Sequence, residues 1–215
     1  MRKDLIRSSL AVVAFTVLLG LVYPLVMTGI AQVAFPGKAD GSLIRSGGKV
    51  TGSTLLAQAW QKPVLDRAGH PTLDAKGNPV TQPDPRYFQP RPSTTGYSAS
   101  VTFFGNHGPN QASTRDLTRQ NIEAYISLEQ PYDAGLVAAR VPIDAATFSA
   151  SGVDPDISRT NAGLQARRIA AVRHLSPDRV AVLIAENTHG RALGLFGERG
   201  VNTTTLNHAL DQEAR

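Results

Sequence analysis

A chain of 215 residues has room for one soluble domain and a short extra element, and 41% hydrophobic with 18% charged residues is ordinary for that pairing. The absence of cysteine excludes disulfides, thiolate-held metal sites and a cysteine nucleophile. Lys and Arg outnumber Asp and Glu by 22 to 17, yet the cations are mixed with acids and form doublets only at Arg2-Lys3 and Arg167-Arg168, so no basic stripe for nucleic acid is present.

The first predicted element is a membrane helix over residues 10–35. No charged residue falls between Ser8 and Gly37. About 20 helical residues cross a hydrocarbon core about 30 Å thick, so the run is long enough to span with some tilt. Lipid offers no partners to backbone amides, which makes a helix the only sensible form for a single span. Pro24 removes one backbone bond and is expected to kink it. Gly20, Tyr23 and Pro24, with Thr28 and Gly29 nearby, suit close packing against a partner's helix. Arg2, Lys3 and Arg7 sit in the short tail 1–9, which places the N-terminus in the cytoplasm and residues 36–215 outside it. A cleaved signal peptide is the rival reading. Leu10–Val22 has the length of its apolar region and Gly29-Ile30-Ala31 offers small residues for cleavage, but the apolar run continues beyond that point.

Residues 36–62 are rich in Gly and Ser, with a short helix expected from Gly52-Ser53 through Leu55, Leu56 and Trp60. An imperfect tandem octad follows, Leu65–Thr72 and then Leu73–Val80. Each copy reads Leu-Asp, then Gly, then Pro, which is turn chemistry and predicts an exposed hairpin insertion at about 63–82. Residues 81–111 carry Pro83, Pro85, Pro90, Pro92 and Pro109 and are read as irregular, with Phe103 and Phe104 as a possible anchor. Ser113 is expected to cap a helix that uses Leu117, Ile122, Tyr125 and Ile126 and ends at Pro131. Val137–Val141 reads as a strand closed by Pro142. Ser158 caps a helix running to about His174, with Ala162, Ala166, Ile169 and Val172 on its apolar face. Ser176-Pro177-Asp178 starts another, carrying Val180, Leu183 and Ile184 and stopping near Gly190. Strands and helices alternate without a βαβ repeat, so the soluble domain is α+β.

Catalytic motifs fail one by one. Gly47-Gly48-Lys49 lacks the leading glycine and the Ser or Thr of a phosphate loop, and reads as a flexible linker. Ser149-Ala150-Ser151-Gly152 lacks the first glycine of a nucleophile elbow. The five histidines form no i, i+4 pair, so no metal site is expected. Asp154 and Asp156 precede a helix, where its dipole favours their charge. Asn202-Thr203-Thr204 matches a glycosylation sequon, a short pattern that turns up often by chance.

A longer series is specific. It runs through Tyr87-Phe88, Arg91-Pro92-Ser93, Asn106 with Gly108-Pro109, Ser149–Ser158, Gln165, Arg168, Thr188, Gly190-Arg191, Leu193-Gly194, Gly197-Glu198, Val201-Asn202, Leu206-Asn207 and Ala209-Leu210-Asp211. In this order behind one span, the chain resembles the KdpC family, the C subunits of Kdp potassium-transporting P-type ATPases. It departs from the usual pattern at Thr102–Gly105, at Asp156, at His189, at Arg199-Gly200 and in the octads. The resemblance implies a bacterial inner-membrane complex with three companions: a channel-like potassium-binding subunit, a P-type ATPase subunit that hydrolyses ATP, and a small membrane subunit. This chain would be a non-catalytic accessory needed for assembly. It would have no cofactor of its own, since ATP and potassium are handled by the complex. The family is also described as a catalytic chaperone that raises the ATPase subunit's affinity for ATP, with the glutamine matching Gln165, and Arg168 beside it, as nucleotide contacts. Tyr87, Phe88, Phe103 and Phe104 become candidates for packing against partners. With the domain outside and the nucleotide inside, the effect on ATP is expected to pass indirectly through the helix and the companions.

Overall fold

The computed structural model describes residues 1–101, 106, 108, 110–191 and 194–213. They divide into two compact units, Met1–Ser53 and Thr54–Arg215. Phe103 and Phe104 lie outside the described residues.

The first unit begins with a helix over Arg2–Ala34, the one described helix long and apolar enough to cross a membrane. At about 1.5 Å per residue its 33 residues exceed the hydrocarbon thickness, and none is buried within the chain's own fold. It is built from α1 (Arg2–Val17), a π-helical turn (Leu18–Val22) and α2 (Tyr23–Ala34). The widened turn lies immediately before Pro24, whose ring would crowd the preceding turn and whose missing N–H leaves the Gly20 carbonyl without its usual donor. The expected proline distortion therefore takes the form of a π turn. After the short α3 (Pro36–Ala39), β1 (Leu43–Ser46) pairs antiparallel with β2 (Lys49–Ser53). Gly47-Gly48 is the tight turn of this hairpin, with φ of +56° and +79°, rather than a flexible linker.

In the second unit the helix expected from Gly52-Ser53 does not form. Ser53 ends β2, and the next residues are held by remote groups: the Thr54 carbonyl accepts from Asn202, the Leu56 carbonyl from Thr204, and the Ala57 N–H donates to Val153. Tertiary bonds override the local preference. β3 (Gln61–Pro63) and β4 (Thr81–Pro83) pair antiparallel and form the base of the octad insertion. Within it Asp66 accepts from the N–H groups of Ala68 and His70 at 2.8 and 2.9 Å. Asp74 repeats the pattern on Lys76 and Asn78 at the same distances. The Asn78 and Lys76 amides hold the Asp74 carboxyl below its ordinary range. Gly69 and Gly77 take the left-handed position each turn requires. Val64, Thr72 and Val80 close a ring of three backbone bonds, each 2.8 Å, which joins the two turns at their base.

α4 (Ala112–Glu129) has Gln111 at its cap position, two residues before the expected Ser113, so Ser113 lies inside the first turn. Val137–Val141 is not a strand: Ala138–Arg140 is a 3₁₀ turn, closed by Arg140 donating to the Gly135 carbonyl and pairing with Asp133. Its β-branched ends suggested a strand, but no strand among the described residues pairs with it. α5 (Ile143–Ala146) and α4 enclose a small core of Tyr125, Leu136 and Ala145. Ser158 caps α6 (Arg159–Arg173) as expected, accepting from the Asn161 N–H, and the helix ends at His174 in the left-handed region. Ser176 caps α7 (Pro177–Glu186), which stops short of Gly190 because Thr188-His189 leave it to form β6. The sheet order is β5 (Asp156–Ile157), β7 (Gly200–Asn202), β6, all antiparallel. His189 Nε2 reaches Asp156 Oδ2 at 2.8 Å across Gly200, where an added Cβ would lie 2.9 Å from the imidazole. α8 (Thr203–Glu213) follows directly, and the main core gathers Ile157, Ile169, Val180, Leu183, Val201 and Leu206 around Phe88.

Candidate functional site

The sequence-predicted pair Gln165 and Arg168 lies three residues apart on α6, hence on one face, and that face is buried. Gln165 is 1% exposed and Arg168 0%. Asn161 lies one turn before Gln165, so the face carries a polar line of Asn161, Gln165 and Arg168. Asp144 on α5 anchors its start, accepting from the Ser158 N–H and hydroxyl and from Asn161 Nδ2 at 2.7, 2.9 and 3.1 Å. Asn161 Oδ1 accepts from the Tyr125 hydroxyl at 3.0 Å and from Gln165 Nε2 at 2.9 Å. Gln165 Oε1 accepts from Arg168 at 2.9 Å, and Arg168 Nε donates to Glu129 at 2.9 Å.

This line holds an irregular segment, Asp84–Arg91, which opens with a turn closed by the Tyr87 N–H on the Asp84 carbonyl and belongs to no sheet. Five successive carbonyls are each taken by a side-chain donor from a helix: Pro85 by Arg168, Arg86 by Arg173, Tyr87 by Arg168, Phe88 by Asn207 and Gln89 by Gln165. Two of the partnerships are reciprocal. Asn207 accepts from the Phe88 N–H at 2.8 Å and donates to its carbonyl at 2.9 Å. Gln165 does the same to Gln89 at 2.7 and 3.0 Å. Primary amides here act as a neighbouring strand would, offering one donor and one acceptor to each residue. A carboxamide has two donors and two acceptor positions, and Gln165 uses all four inside the protein.

The electrostatics fit a holding role. Burial pushes the Glu129 carboxyl above its ordinary range, opposed by the Arg168 guanidinium, and Glu129 Oε2 has no hydrogen-bond partner among the described residues. Burial also raises the Asp84 carboxyl, but the Arg86 guanidinium and amide outweigh it and keep Asp84 below the usual carboxylate range. Tyr87 stacks on Trp60 with ring centroids 4.6 Å apart, lies under the Arg173 guanidinium at 4.7 Å, and donates its hydroxyl to Asp211 at 3.1 Å. Phe88 is fully buried in the domain's own core. Gly20, Tyr23 and Pro24 sit together at the π turn of the membrane-length helix, exposed. Among the described residues no three His, Asp or Glu side chains gather as a metal site.

Beside the line lies a recess of about 150 Å³. Pro83, Pro90, Pro92 and Tyr97 form one wall and α4 the other, with Gln165 and Asn161 at its floor. The supporting residues Glu129, Asp144, Arg173 and Asn207 carried no assigned role in the sequence. Asn207 stood in the specific series, but nothing local tells that it grips a backbone 119 residues away.

The sequence matches the family model described as KdpC: K+-transporting ATPase, c chain, over residues 5–212. It is 41% identical over 202 residues to a potassium-transporting ATPase KdpC subunit of Methylobacterium nodulans, covering 94% of this chain and 93% of that one. It is 38% identical over 217 residues to the KdpC subunit of Dechloromonas aromatica, covering 99% and 100%. Identity to the Burkholderia cenocepacia subunit is 39% over 214 residues, covering 97% and 96%.

Proposed function

The chain belongs to the KdpC family of potassium-transporting ATPase subunits, and from that premise we propose that it is a non-catalytic accessory subunit of an ATP-driven potassium uptake complex, required for the assembly and stability of that complex. Its N-terminal helix packs against membrane helices of the companion subunits, through the face carrying Gly20, Tyr23 and Pro24. Its soluble domain works outside the cytoplasm, over the channel-like subunit. The observation that carries this reading is the apolar helix Arg2–Ala34, none of whose residues is buried against the described residues. Such a surface needs lipid, other helices, or both.

The reading also assigns the chain an indirect influence on ATP affinity in the hydrolysing subunit. Every hydrogen-bonding position of Gln165 is engaged internally, and Arg168 is fully buried. The positive cluster Arg2, Lys3 and Arg7 favours an external domain, away from the nucleotide. Coupling then runs through subunit contacts, as a free-energy linkage between separate sites. The test is co-purification from membranes. Deleting residues 1–35 is expected to abolish recovery of the ATPase subunits and growth on limiting potassium; unchanged recovery would refute the proposal. A reporter enzyme fused after Arg215 is expected to be active outside the cytoplasm, and activity inside would bring direct ATP contact to the front.

A further inference from the structure

We infer that the β1–β2 hairpin rests on the bilayer surface and takes the phosphates of anionic lipid headgroups with Lys38, Arg45 and Lys49; this rests on the reading of Arg2–Ala34 as a membrane span. Helix and hairpin belong to the same compact unit, Met1–Ser53. At about 1.5 Å per residue, Arg7 to Ala34 covers about 40 Å. A bilayer measures about 30 Å across its hydrocarbon and about 40–45 Å with both headgroup layers. With Arg7 at one phosphate level, the helix ends at the opposite headgroup layer. The hairpin is tied to that end. Asp40 accepts from Gln32 of α2 at 3.2 Å, the Ser42 N–H donates to the Gly37 carbonyl at 2.8 Å, and the Ser53 hydroxyl donates to the Gly41 carbonyl at 2.7 Å. The strands are four and five residues long, so at about 3.4 Å per residue no part of the hairpin lies more than about 17 Å from its root.

A two-stranded hairpin is marginal in water unless something covers one face, and among the strand residues of this one Ser53 alone is buried. Leu43 and Arg45 alternate onto one face, and Val50 is the cross-strand partner of Arg45, so the three share it. All three are exposed. Apolar side chains beside a long cation suit the boundary between acyl chains and headgroups, where the stem stays in the apolar layer and the charge reaches phosphate. Lys38 on α3 and Lys49 at the start of β2 are exposed as well. From Pro36 to Ser53 these three cations face a single acid, Asp40, which Gln32 already engages. None of the three has an ion pair or a side-chain hydrogen bond among the described residues. The charge is complementary to an anionic lipid surface, and the attached helix keeps that surface within reach. Each Lys or Arg close to such a surface gives about a fivefold preference for it.

The test places a benzoylphenylalanine photocrosslinker at position 50 of the full chain. In membranes that contain the whole complex, its adducts are expected to be phospholipids. In nanodiscs of equimolar phosphatidylglycerol and phosphatidylcholine, adducts of the anionic lipid are expected to exceed the other about fivefold or more. Replacing Lys38, Arg45 and Lys49 together by Gln should return the two adducts to parity. Excess inorganic phosphate should leave the enrichment in place, because the ligand is a headgroup held in the membrane. The chain has no cysteine, so a nitroxide on Val50→Cys gives a second reading: it should be shielded from a water-soluble nickel chelate in the same nanodiscs. The proposal is overturned by adducts to a companion protein in place of lipid, by an unchanged lipid ratio in the triple variant, by loss of the enrichment in phosphate, or by a nitroxide open to the chelate. Should the triple variant fail to fold, the adducts of the unaltered cations and the nitroxide decide. If alkaline carbonate strips the unaltered chain from membranes, the membrane-span reading itself falls, an outcome distinct from loss of the lipid contact alone.

Discussion

Two neighbouring stretches of the soluble domain, residues 64–80 and 84–91, lack regular secondary structure and are held by opposite means. In the first, every fixing bond is local: Asp66 and Asp74 each grip amides two and four residues on, and three backbone bonds join the turns at their base. In the second, the backbone is gripped by side chains 76 to 119 residues away. The difference separates a module from a keystone. A segment that satisfies itself adds little to the rest of the fold and loses little by leaving it. A segment satisfied by α6 and α8 ties those helices together, and through Phe88 it also fills the core.

The hardest test of the keystone is Arg168→Met. It strands the Glu129 carboxylate in a buried site and removes the donors from the Pro85 and Tyr87 carbonyls. Breaking one partner of a buried pair costs about 3–5 kcal/mol, and urea unfolding of the detergent-solubilised chain should register a loss of that size. Adding Glu129→Gln should restore part of it, because the stranded charge is gone. A loss below about 1 kcal/mol would mean that the carbonyls find water instead.

Next in size are Gln165→Ala and Asn207→Ala. Each leaves a backbone N–H and a carbonyl without their side-chain partner, part-buried at Gln89 and buried at Phe88, at about 1–3 kcal/mol in all. The comparison sharpens the question of ATP. If Gln165 acts only as a clamp, any effect of Gln165→Ala on the complex's ATP affinity should be reproduced by Asn207→Ala at equal loss of stability. An effect peculiar to Gln165 would separate nucleotide contact from folding.

A smaller effect is expected at the start of the segment. Asp84 is buried, and its carboxyl is held below its ordinary value by Arg86 despite burial. A carboxylate depressed in the folded state contributes stability that is present above its unfolded pKa, about 3.9, and is lost as pH falls through the lower folded value. Asp84→Asn should therefore cost about 1–2 kcal/mol at neutral pH and flatten the decline of stability between pH 4 and lower values. An unchanged acid profile would show that other carboxylates govern it.

The same contrast explains what the sequence made legible. The uncharged run before Gly37, the Ser158 and Ser176 caps and the Asp-x-x-Gly turns are determined within a few residues, so their signals are readable in order. Gln165 and Arg168 could be placed on one helix face by their spacing. That the face is turned inward, and that Asn161 and Asn207 complete it, depends on elements distant in the chain. Two of the misread segments fail for the same reason. Residues 53–60 have helix-compatible composition, but Asn202 and Thr204 take the Thr54 and Leu56 carbonyls and hold the stretch in a turn and bend. Val137–Val141 has strand composition but meets no strand, and Arg140 and Asp133 fold it into a turn.

The smallest expected effect is the one that would most directly break the comparison. Pro63 and Thr81 are cross-strand partners in β3 and β4, so their backbones already lie a strand spacing apart. Removing residues 64–80 and joining the strands with Asn-Gly replaces two local turns by one two-residue hairpin loop of the favoured type. The residues removed are exposed apart from the half-buried Val64, and their described hydrogen bonds stay within the insertion. Shortening a loop changes closure entropy only slowly with length. The melting temperature should therefore move by only a few degrees, the equivalent of less than about 1 kcal/mol, and recovery of companion subunits should be unchanged. A large loss of stability would mean that the octads brace the Asp84–Arg91 segment after all. Unchanged stability with lost recovery would make the insertion a contact surface rather than a passive module.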